Sequence, residues 1–447
     1  MSKLSRKALA GPAFFLIALG GCAQLRTDQA GCCGPHPADS PAETVLPDGP
    51  RGAIDPDLNG LPEFALLDDT LRRERAAVHP YRTLGVADAR CLGAQASPIG
   101  SLLDRKAAEC MGAGGDKCGP CRREVDRLTL VQQEILQDVA LEARNRSAGD
   151  GLELFYRLAE AEARYDVLRR SIAELDDALA QIKAREAKGM AIGEEFATLH
   201  RQRVEALNNN VELELAIDQL NIEIQHRLNL GPRDSHWRLW PTADWTVIAE
   251  GVDIPAAVAV GIEHRPELIM LRRLDQALDA RTLPAVRSAL GLVHSLAGME
   301  CQGGESRCKI LLTALGQDKA SDEQVQALCR QLHAYRIQRE QEVAKEIQEA
   351  ALTVVARLRQ VGVAREAIQT WQARLDELKA RSEKGRPTFA ERTTAQLKFL
   401  EARGALIHQV MTWNIARAHL AEAQGLLAEQ CGSAPCPVAP GPVACGP

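Results

Sequence analysis

Four consecutive residues of this sequence have the letters of a redox site. Cys118-Gly119-Pro120-Cys121 matches the thioredoxin-type dithiol, in which a thiol at a helix start has a lowered pKa and attacks disulfides. A βαβ fold must position such a pair, but residues 112–117 are polar and glycine-rich and no apolar strand precedes them. We therefore expect a structural disulfide or a loop at these cysteines rather than a redox enzyme.

A second group of residues has the chemistry of a zinc site. Cys329 and His333 stand one helical turn apart, and Cys301, Cys308 and His294 are near them in sequence. Disulfide formation is the favoured alternative, because the cysteines of exported proteins usually oxidise. No glycine-rich phosphate loop, paired-carboxylate cleft or nucleophile–base constellation stands out. The sequence therefore predicts a protein that is not an enzyme and that has no cofactor or metal site.

The N-terminus has the layout of an export signal. Lys3, Arg6 and Lys7 precede an apolar run, residues 8–19, that is too short to span a membrane. The run ends at Leu19-Gly20-Gly21-Cys22, which resembles a bacterial lipobox, so residues 1–21 are predicted to be a lipoprotein signal peptide and Cys22 the acylated first residue of the mature chain. An ordinary cleaved signal is the alternative. Ala23, rather than Asp, is compatible with transfer to the outer membrane, where we expect the chain to be lipid-anchored on the periplasmic face.

Composition restricts the class of protein further. The 447 residues carry a net charge of −6, which gives no basic excess for a nucleic-acid backbone, so we expect no nucleic-acid partner. Thirteen cysteines leave an even twelve once Cys22 is set aside, as expected for disulfides in an oxidising compartment, although their pairing cannot be read from the sequence. Abundant Ala, Leu, Glu, Gln, Arg and Lys between about residues 120 and 428 favour an all-α fold.

A seven-residue repeat is the clearest structural pattern. Apolar residues alternate steps of four and three along one helix face, as in a coiled coil: Leu154, Leu158, Ala161, Tyr165, Leu168, Ile172, Leu175, Leu179 and Ile182. The pattern stops at Lys188-Gly189, and a second helix is predicted from about Glu194 to Leu230. Two antiparallel helices of about 36 residues would make a hairpin about 54 Å long.

The hairpin recurs later in the chain; the distance in sequence from Gly189 to Gly385, which we call the hairpin offset, holds along the first helix and shrinks slightly beyond the turn through a small gap. Ala184-Arg185-x-x-Lys188-Gly189 corresponds to Ala380-Arg381-x-x-Lys384-Gly385, and the apolar seam recurs from Val354 to Leu378 with one break, at Arg357. Upstream of each hairpin, matching short helices are interrupted at Pro98 and at Pro266, whose separation we call the short-helix offset. The sequence therefore predicts a duplication of long antiparallel helical hairpins. Its expected parts are a flexible tether at 22–64, a first repeat at 65–250, a second repeat at 251–428 and a disordered Cys/Pro/Gly-rich tail at 429–447.

A family resemblance is carried by the segment His264-Arg265-Pro266-Glu267-Leu268. Such a segment, followed by a long helix and a glycine-tipped hairpin and duplicated along the chain, resembles the TolC family of outer-membrane efflux proteins. The resemblance covers about residues 82–428. It implies three chains that form a periplasmic α-barrel, continued by a membrane β-barrel, with the hairpin tips docked on a periplasmic adaptor (membrane fusion) protein tied to an inner-membrane pump.

The same resemblance assigns adaptor contact to the two hairpin tips. The corresponding residues are Lys188, Gly189, Glu194, Lys384, Gly385, Arg386 and Thr388. The alternative is that each glycine simply ends a helix in the left-handed conformation.

The sequence departs from the family where the membrane strands should be. Residues 138–152 have no period-two pattern and barely room for a turn, and residues 285–335 carry cysteines and helical-looking stretches. We therefore expect β-barrel strands to be absent or rudimentary. The predicted function is solute export through a self-assembled helical conduit; a structural coiled-coil envelope lipoprotein without transport activity is the alternative.

Overall fold

The computed structural model describes residues 81–112, 120–189, 194–230, 237–247, 251–297, 322–382 and 389–431. The elements of these segments, in chain order, are β1 (Tyr81–Gly85), α1 (Val86–Gln95), α2 (Pro98–Gly112), α3 (Pro120–Glu186), α4 (Glu194–Arg227), β2 (Arg238–Thr242), α5 (Ile254–His264), α6 (Pro266–Ala277), α7 (Leu283–Ala297), α8 (Asp322–Ser382), α9 (Phe389–Ala423) and α10 (Leu426–Glu429). Helices dominate, so the all-α prediction is confirmed, and a short helix, a Pro-marked break and a longer helix precede each hairpin as expected.

The first helix of each hairpin is longer than we predicted. Helix α3 has 67 residues and α8 has 61. These helices have lengths of about 100 Å and about 90 Å. Residues 138–152, for which the sequence left barely room for a turn, lie inside α3, and Gly149 and Gly151 are not turn residues. They are contact residues instead: a Cβ on Gly151 would lie 2.9 Å from the Ala89 carbonyl oxygen, and Gly149 lies directly under the Glu422 carboxyl group.

The second segment that the sequence analysis singled out, residues 285–335, is helical at both ends. Its first part belongs to α7 and its last part to α8. Residues 298–321 lie outside the described part of the chain.

The four long helices form one layer in the order α4, α3, α9, α8. Helix α3 packs against α4 and α9, and α9 packs against α8. Between the two hairpins, His408 Nδ1 lies 2.8 Å from Glu160 Oε1 and His419 Nε2 lies 3.1 Å from Glu153 Oε2. The two hairpins therefore lie side by side, which leaves α4 and α8 at the two edges of the layer.

The predicted heptad residues form the seam of this layer. Leu158, Leu175 and Ile182 of α3 are buried, and so are Val354 and Val361 at equivalent positions of α8. Burial of one such side chain contributes about 1.5–3 kcal/mol. The seam holds the long hairpins together along most of their length.

The duplication is also visible in three dimensions. A Cβ on Gly93 of α1 would lie 3.5 Å from Gly151 Cα on α3, and a Cβ on Gly261 of α5 would lie 3.3 Å from Ile347 Cγ1 on α8. The short-helix offset relates Gly93 to Gly261, and the hairpin offset relates Gly151 to Ile347. The short helices therefore cross their long helices at equivalent points in both repeats.

A two-stranded parallel sheet was not predicted. Strand β1 pairs with β2 in a register that places Tyr81 opposite Arg238. The buried Asn221 side chain of α4 fixes β2, because its Oδ1 accepts a 2.6 Å hydrogen bond from the Leu239 amide while its Nδ2 donates to the Ile217 carbonyl. Five-residue strands are too short to show a clear period of two in the sequence.

The end of the described chain is attached to its beginning. Helix α10 packs on α1 and α3, and Cys431 forms a disulfide with Cys91 of α1 across 340 residues. Residues 429–431 of the predicted tail are thus part of the folded body, and residues 432–447 lie outside the described part.

Candidate functional site

The first hairpin tip is an exposed turn built on glycine. Gly189 has φ +78°, its amide donates to the Glu186 carbonyl at 2.8 Å, and nothing lies within 4 Å of the position of a Cβ. Lys188 before it is exposed, and Glu194 is the first residue of α4. Gly189 therefore has the left-handed conformation that ends helices, and the lysine beside it is exposed.

The second tip lies outside the described residues, and with it Lys384, Gly385, Arg386 and Thr388. Contacts on either side of it nevertheless bring the hairpin ends together. The Arg185 guanidinium lies over the ring of Phe389, 4.9 Å from its centroid, and Phe389 and Leu397 of α9 pack on the cluster around Ile182 and Leu199. The start of α9 is therefore next to the first tip.

The family segment forms a buried junction between elements. Arg265 has an extended backbone conformation that separates α5 from α6, and Pro266 occupies the first position of α6. The Arg265 guanidinium donates to the Ala423 carbonyl at 2.9 Å and pairs with Glu346 of α8 at 3.0 Å. These contacts join α5, α6, α8 and the end of α9.

The other end of the segment is held as firmly. Glu267 accepts two hydrogen bonds from the buried Arg339 of α8, at 2.8 and 3.1 Å, and Leu268 is fully buried. His264 is only partly buried, and its Nδ1 lies 3.2 Å from Glu429 Oε2 of α10. Both helices that flank the break are thus tied to the second repeat or to the end of the chain.

The turn between α9 and α10 packs directly on this junction. Gly425, at φ +82°, passes so close that a Cβ would lie 2.9 Å from Arg265 Cα and from the His264 carbonyl oxygen. The five residues of the family segment are therefore structural: they seat the C-terminal end of the fold on the second repeat.

Sequence reasoning missed a second junction at the same α9–α10 turn, which the first repeat makes through α3. Asn145 is buried in α3, donates to the Glu422 carbonyl at 2.8 Å and accepts from the Leu427 amide at 2.9 Å. A buried asparagine inside a helix was the available signal. Glu422 beside it has a pKa raised to about 7, because burial disfavours its charge and Asp150 repels it.

The cysteine motifs do not form a described reactive site. Cys118 lies outside the described residues, and Cys121 lies in the first turn of α3. Cys329 is a free thiol whose Sγ lies 3.5 Å from the Leu278 carbonyl oxygen, and burial raises its pKa, which disfavours the thiolate. His333 pairs with Asp275 at 3.1 Å. Within the described segments, no three His, Cys, Asp or Glu side chains are grouped to hold a metal, and Cys301 and Cys308 fall outside them.

Exposed apolar side chains lie along the two edge helices. On α4 they recur at steps of three, four and seven, which places them on one face: Val204, Leu207, Val211, Leu215 and Ile222. On α8 the exposed apolar residues are Ile337, Leu352 and Val363. Val211, Ile222 and Val363 are 64 %, 68 % and 67 % exposed.

The apolar residues of the two edges also lie at matching heights above the hairpin tips. At 1.5 Å per residue, Val211 lies about 26 Å from the start of α4 and Val363 about 29 Å from the end of α8. On the same scale, Ile222 lies about 42 Å and Leu352 about 45 Å from these helix ends. Each pair therefore differs in height by only about 3 Å. The described helices contain no stretch long and apolar enough to cross a membrane.

No protein-family model matches the chain, and no curated protein matches it. Solved structures do match its fold. The Campylobacter jejuni CmeC outer membrane channel aligns over 76 % of this chain and 85 % of its own, with a TM-score of 0.54 and 11 % identity. CusC, described as forming a transmembrane channel, aligns over 76 % and 91 % with a TM-score of 0.53 and 11 % identity.

A third solved structure is the open state of the Neisseria gonorrhoeae MtrE outer membrane channel, with a TM-score of 0.50, 10 % identity and coverage of 76 % and 88 %. All three are TolC-family channels. The resemblance to the TolC family that the sequence indicated is therefore confirmed in the fold of this chain.

Proposed function

We propose that this chain is a TolC-like outer-membrane efflux component that assembles with copies of itself into a periplasmic helical conduit. The observation that carries the proposal is the pair of apolar edges on α4 and α8. The role is passive: the conduit would enclose solutes, and the chain would do no chemistry on them.

The edges fit a ring of copies. Each lies on the outer side of a layer whose inner seams are already filled, and the two edges lie at opposite ends of the layer, so a copy cannot cover its own α4 with its own α8. When α8 of one copy lies beside α4 of the next, Val363 lies at about the height of Val211 and Leu352 lies at about the height of Ile222. Such head-to-tail contacts give a closed ring when the rotation closes. Three chains is the number that the family resemblance implies.

The remaining parts of the proposal follow from the two ends of the hairpins and from the N-terminus. The tip at Lys188, Gly189 and Glu194, with its counterpart at Lys384, Gly385, Arg386 and Thr388, would dock a periplasmic adaptor protein that an inner-membrane pump engages. Acylated Cys22 would hold the body at the outer membrane, since each buried CH₂ of a lipid chain contributes about 0.8 kcal/mol.

Oligomeric state after edge substitution tests the proposal. Val211→Asp and Val363→Asp each place a charge in an edge, and Asn209→Asp adds the same charge to an exposed position of α4 outside the apolar face. Light scattering of the mature, lipid-anchored chain in detergent should show an oligomer for the unchanged chain and for Asn209→Asp, and a shift to monomer for both edge variants. A monomer in every sample would instead support the structural lipoprotein.

A further inference from the structure

In each repeat, the helix that follows the Pro-marked break, α2 or α6, packs on the long helix of the same repeat through similar apolar surfaces. We call α2 and α6 the short helices below. Helix α2 packs on α3 and α6 packs on α8. By the short-helix offset Leu103 corresponds to Leu271, by the hairpin offset Leu136 corresponds to Leu332, and all four are buried. The apolar surfaces alone would allow α2 to take the place of α6 on α8, or α6 the place of α2 on α3.

Helix α6 also touches α3, but on a different face from α2. Leu271 of α6 belongs to the same apolar cluster as Ile135 of α3, and Arg273 pairs with Asp138 at 3.2 Å. Helix α2 instead covers the face of α3 that carries Leu136 and Ala140. The two helices therefore occupy separate places on α3. If α6 moved into the place of α2 on α3, the result would be a distinct wrong pairing.

The polar residues at the two equivalent docking surfaces differ at a first position. Ile99 of α2 packs with Leu103 and Ala140, and the α3 position opposite it by the offsets is Ala143. The equivalents in the second repeat are Glu267 and Arg339, which form a two-bond ion pair; Arg339 is only 2 % exposed. An apolar contact in one repeat is thus a buried ion pair in the other.

At a second position the charges are reversed. Asp104 of α2 pairs with Arg144 of α3. The equivalents are Arg272 of α6 and Glu340 of α8, which pair at 3.7 Å. The same place in the two repeats therefore carries an acid on the short helix in one case and a base in the other.

We propose that these two positions are specificity determinants that restrict each short helix to its own docking place. If α6 took the place of α2 on α3, Glu267 would face Ala143 without its arginine, and Arg272 would face Arg144. If α2 took the place of α6 on α8, Asp104 would face Glu340. Removal of the partner of a buried charge and contact between like charges both disfavour the wrong pairing.

The competing docking place is present in the same chain and also in any other copy of the chain. Exchange of α2 or α6 between two copies would give intertwined chains, so the partner that the charges exclude is a non-equivalent helix of another copy. The inference does not require the conduit, because a single chain already contains both wrong pairings.

Charge exchange between the paired positions tests the inference on the full-length chain. Asp104→Arg with Arg144→Asp keeps the pair in the first repeat but gives both repeats the same polarity. The matched control adds Arg272→Asp and Glu340→Arg, which restores opposite polarity with twice as many substitutions.

Equal amounts of ¹⁴N- and ¹⁵N-labelled chain are unfolded in urea with the disulfide intact and refolded together. The recovered protection of α2 and α6 amides from hydrogen exchange is then compared with that of the same variant never unfolded.

The natural chain and the fourfold control should recover most of their protection. The same-polarity variant should recover at least about threefold less at high protein concentration, with a larger fraction of mixed-isotope species that persists on dilution than in the natural chain and the fourfold control; the ion pair of Glu267 keeps the loss from being complete. Because each variant is compared with its own never-unfolded sample, neither a loss of stability from the Arg336–Glu340 contact nor the oligomeric state affects the result. Equal recovery of the same-polarity variant and the natural chain, or equally poor recovery of both variants, would overturn the proposal.

Discussion

Substitution of Gly425 by alanine should destabilise the fold by an amount that can be divided into two causes. The residue has φ +82°, and an alanine in the left-handed region costs about 1–2 kcal/mol. Its Cβ would also lie 2.9 Å from Arg265 Cα, the His264 carbonyl oxygen and Pro266 Cδ. Two of these atoms are backbone atoms, which cannot rotate away, so overpacking should add about 1–3 kcal/mol. The expected total is about 2–5 kcal/mol.

Gly189→Ala separates the two causes. Gly189 has φ +78° but open space around it, so its substitution should cost only the backbone part, about 1–2 kcal/mol. Urea unfolding of both variants, followed by circular dichroism and tryptophan fluorescence, measures the difference between them. Equal losses in the two variants would refute the argument that the α9–α10 turn is packed tightly against the family segment.

Two further predictions concern the disulfide and two buried carboxyl groups. Cys91→Ser should lower the free energy of unfolding by about 2–5 kcal/mol, since it opens a loop that spans nearly the whole described chain, and dithiothreitol should destabilise the natural chain more than the variant. The carboxyls of Glu422 and Asp138, whose pKa values are raised by burial to about 7 and about 6, bind protons more tightly in the folded state than in the unfolded state. Their contribution to stability is therefore complete only below the ordinary pKa values of 3.8 and 4.5, and it is lost as the pH rises from there through 6 and 7. Urea titrations from pH 4 to 8 should show a fall of up to about 3 kcal/mol from each of the two groups, and Glu422→Gln should remove its share; an unchanged slope in that variant would contradict the assignment.

The long-range pattern of this fold was predictable because a coiled-coil seam repeats over many turns. The heptad from Leu154 to Ile182 and its recurrence from Val354 indicated the hairpins and their duplication, and Gly189 marked the turn. A pattern of this length averages over local exceptions.

Local features were missed where a residue type has two physical uses. The sequence left residues 138–152 with barely room for a turn, whereas the fold uses Gly149 and Gly151 there for close contact inside a continuous helix. The Cys91–Cys431 disulfide and the hydrogen bonds of Asn145 join positions far apart in the sequence, and no local pattern carries that information. The family segment around Arg265 was recognised, but its contacts with Arg339 and Glu346 became visible only once α6 and α8 were placed together.

Disulfide crosslinking between the edges tests the central claim, that copies associate side by side through α4 and α8. A chain that carries both Val211→Cys and Val363→Cys should, on mild oxidation, give a ladder on a denaturing gel that ends at a small closed species, three chains by the family resemblance. Mixtures of the two single variants should give crosslinked dimers only. A chain that stays monomeric under oxidation, or a ladder that extends without end, would contradict the closed conduit.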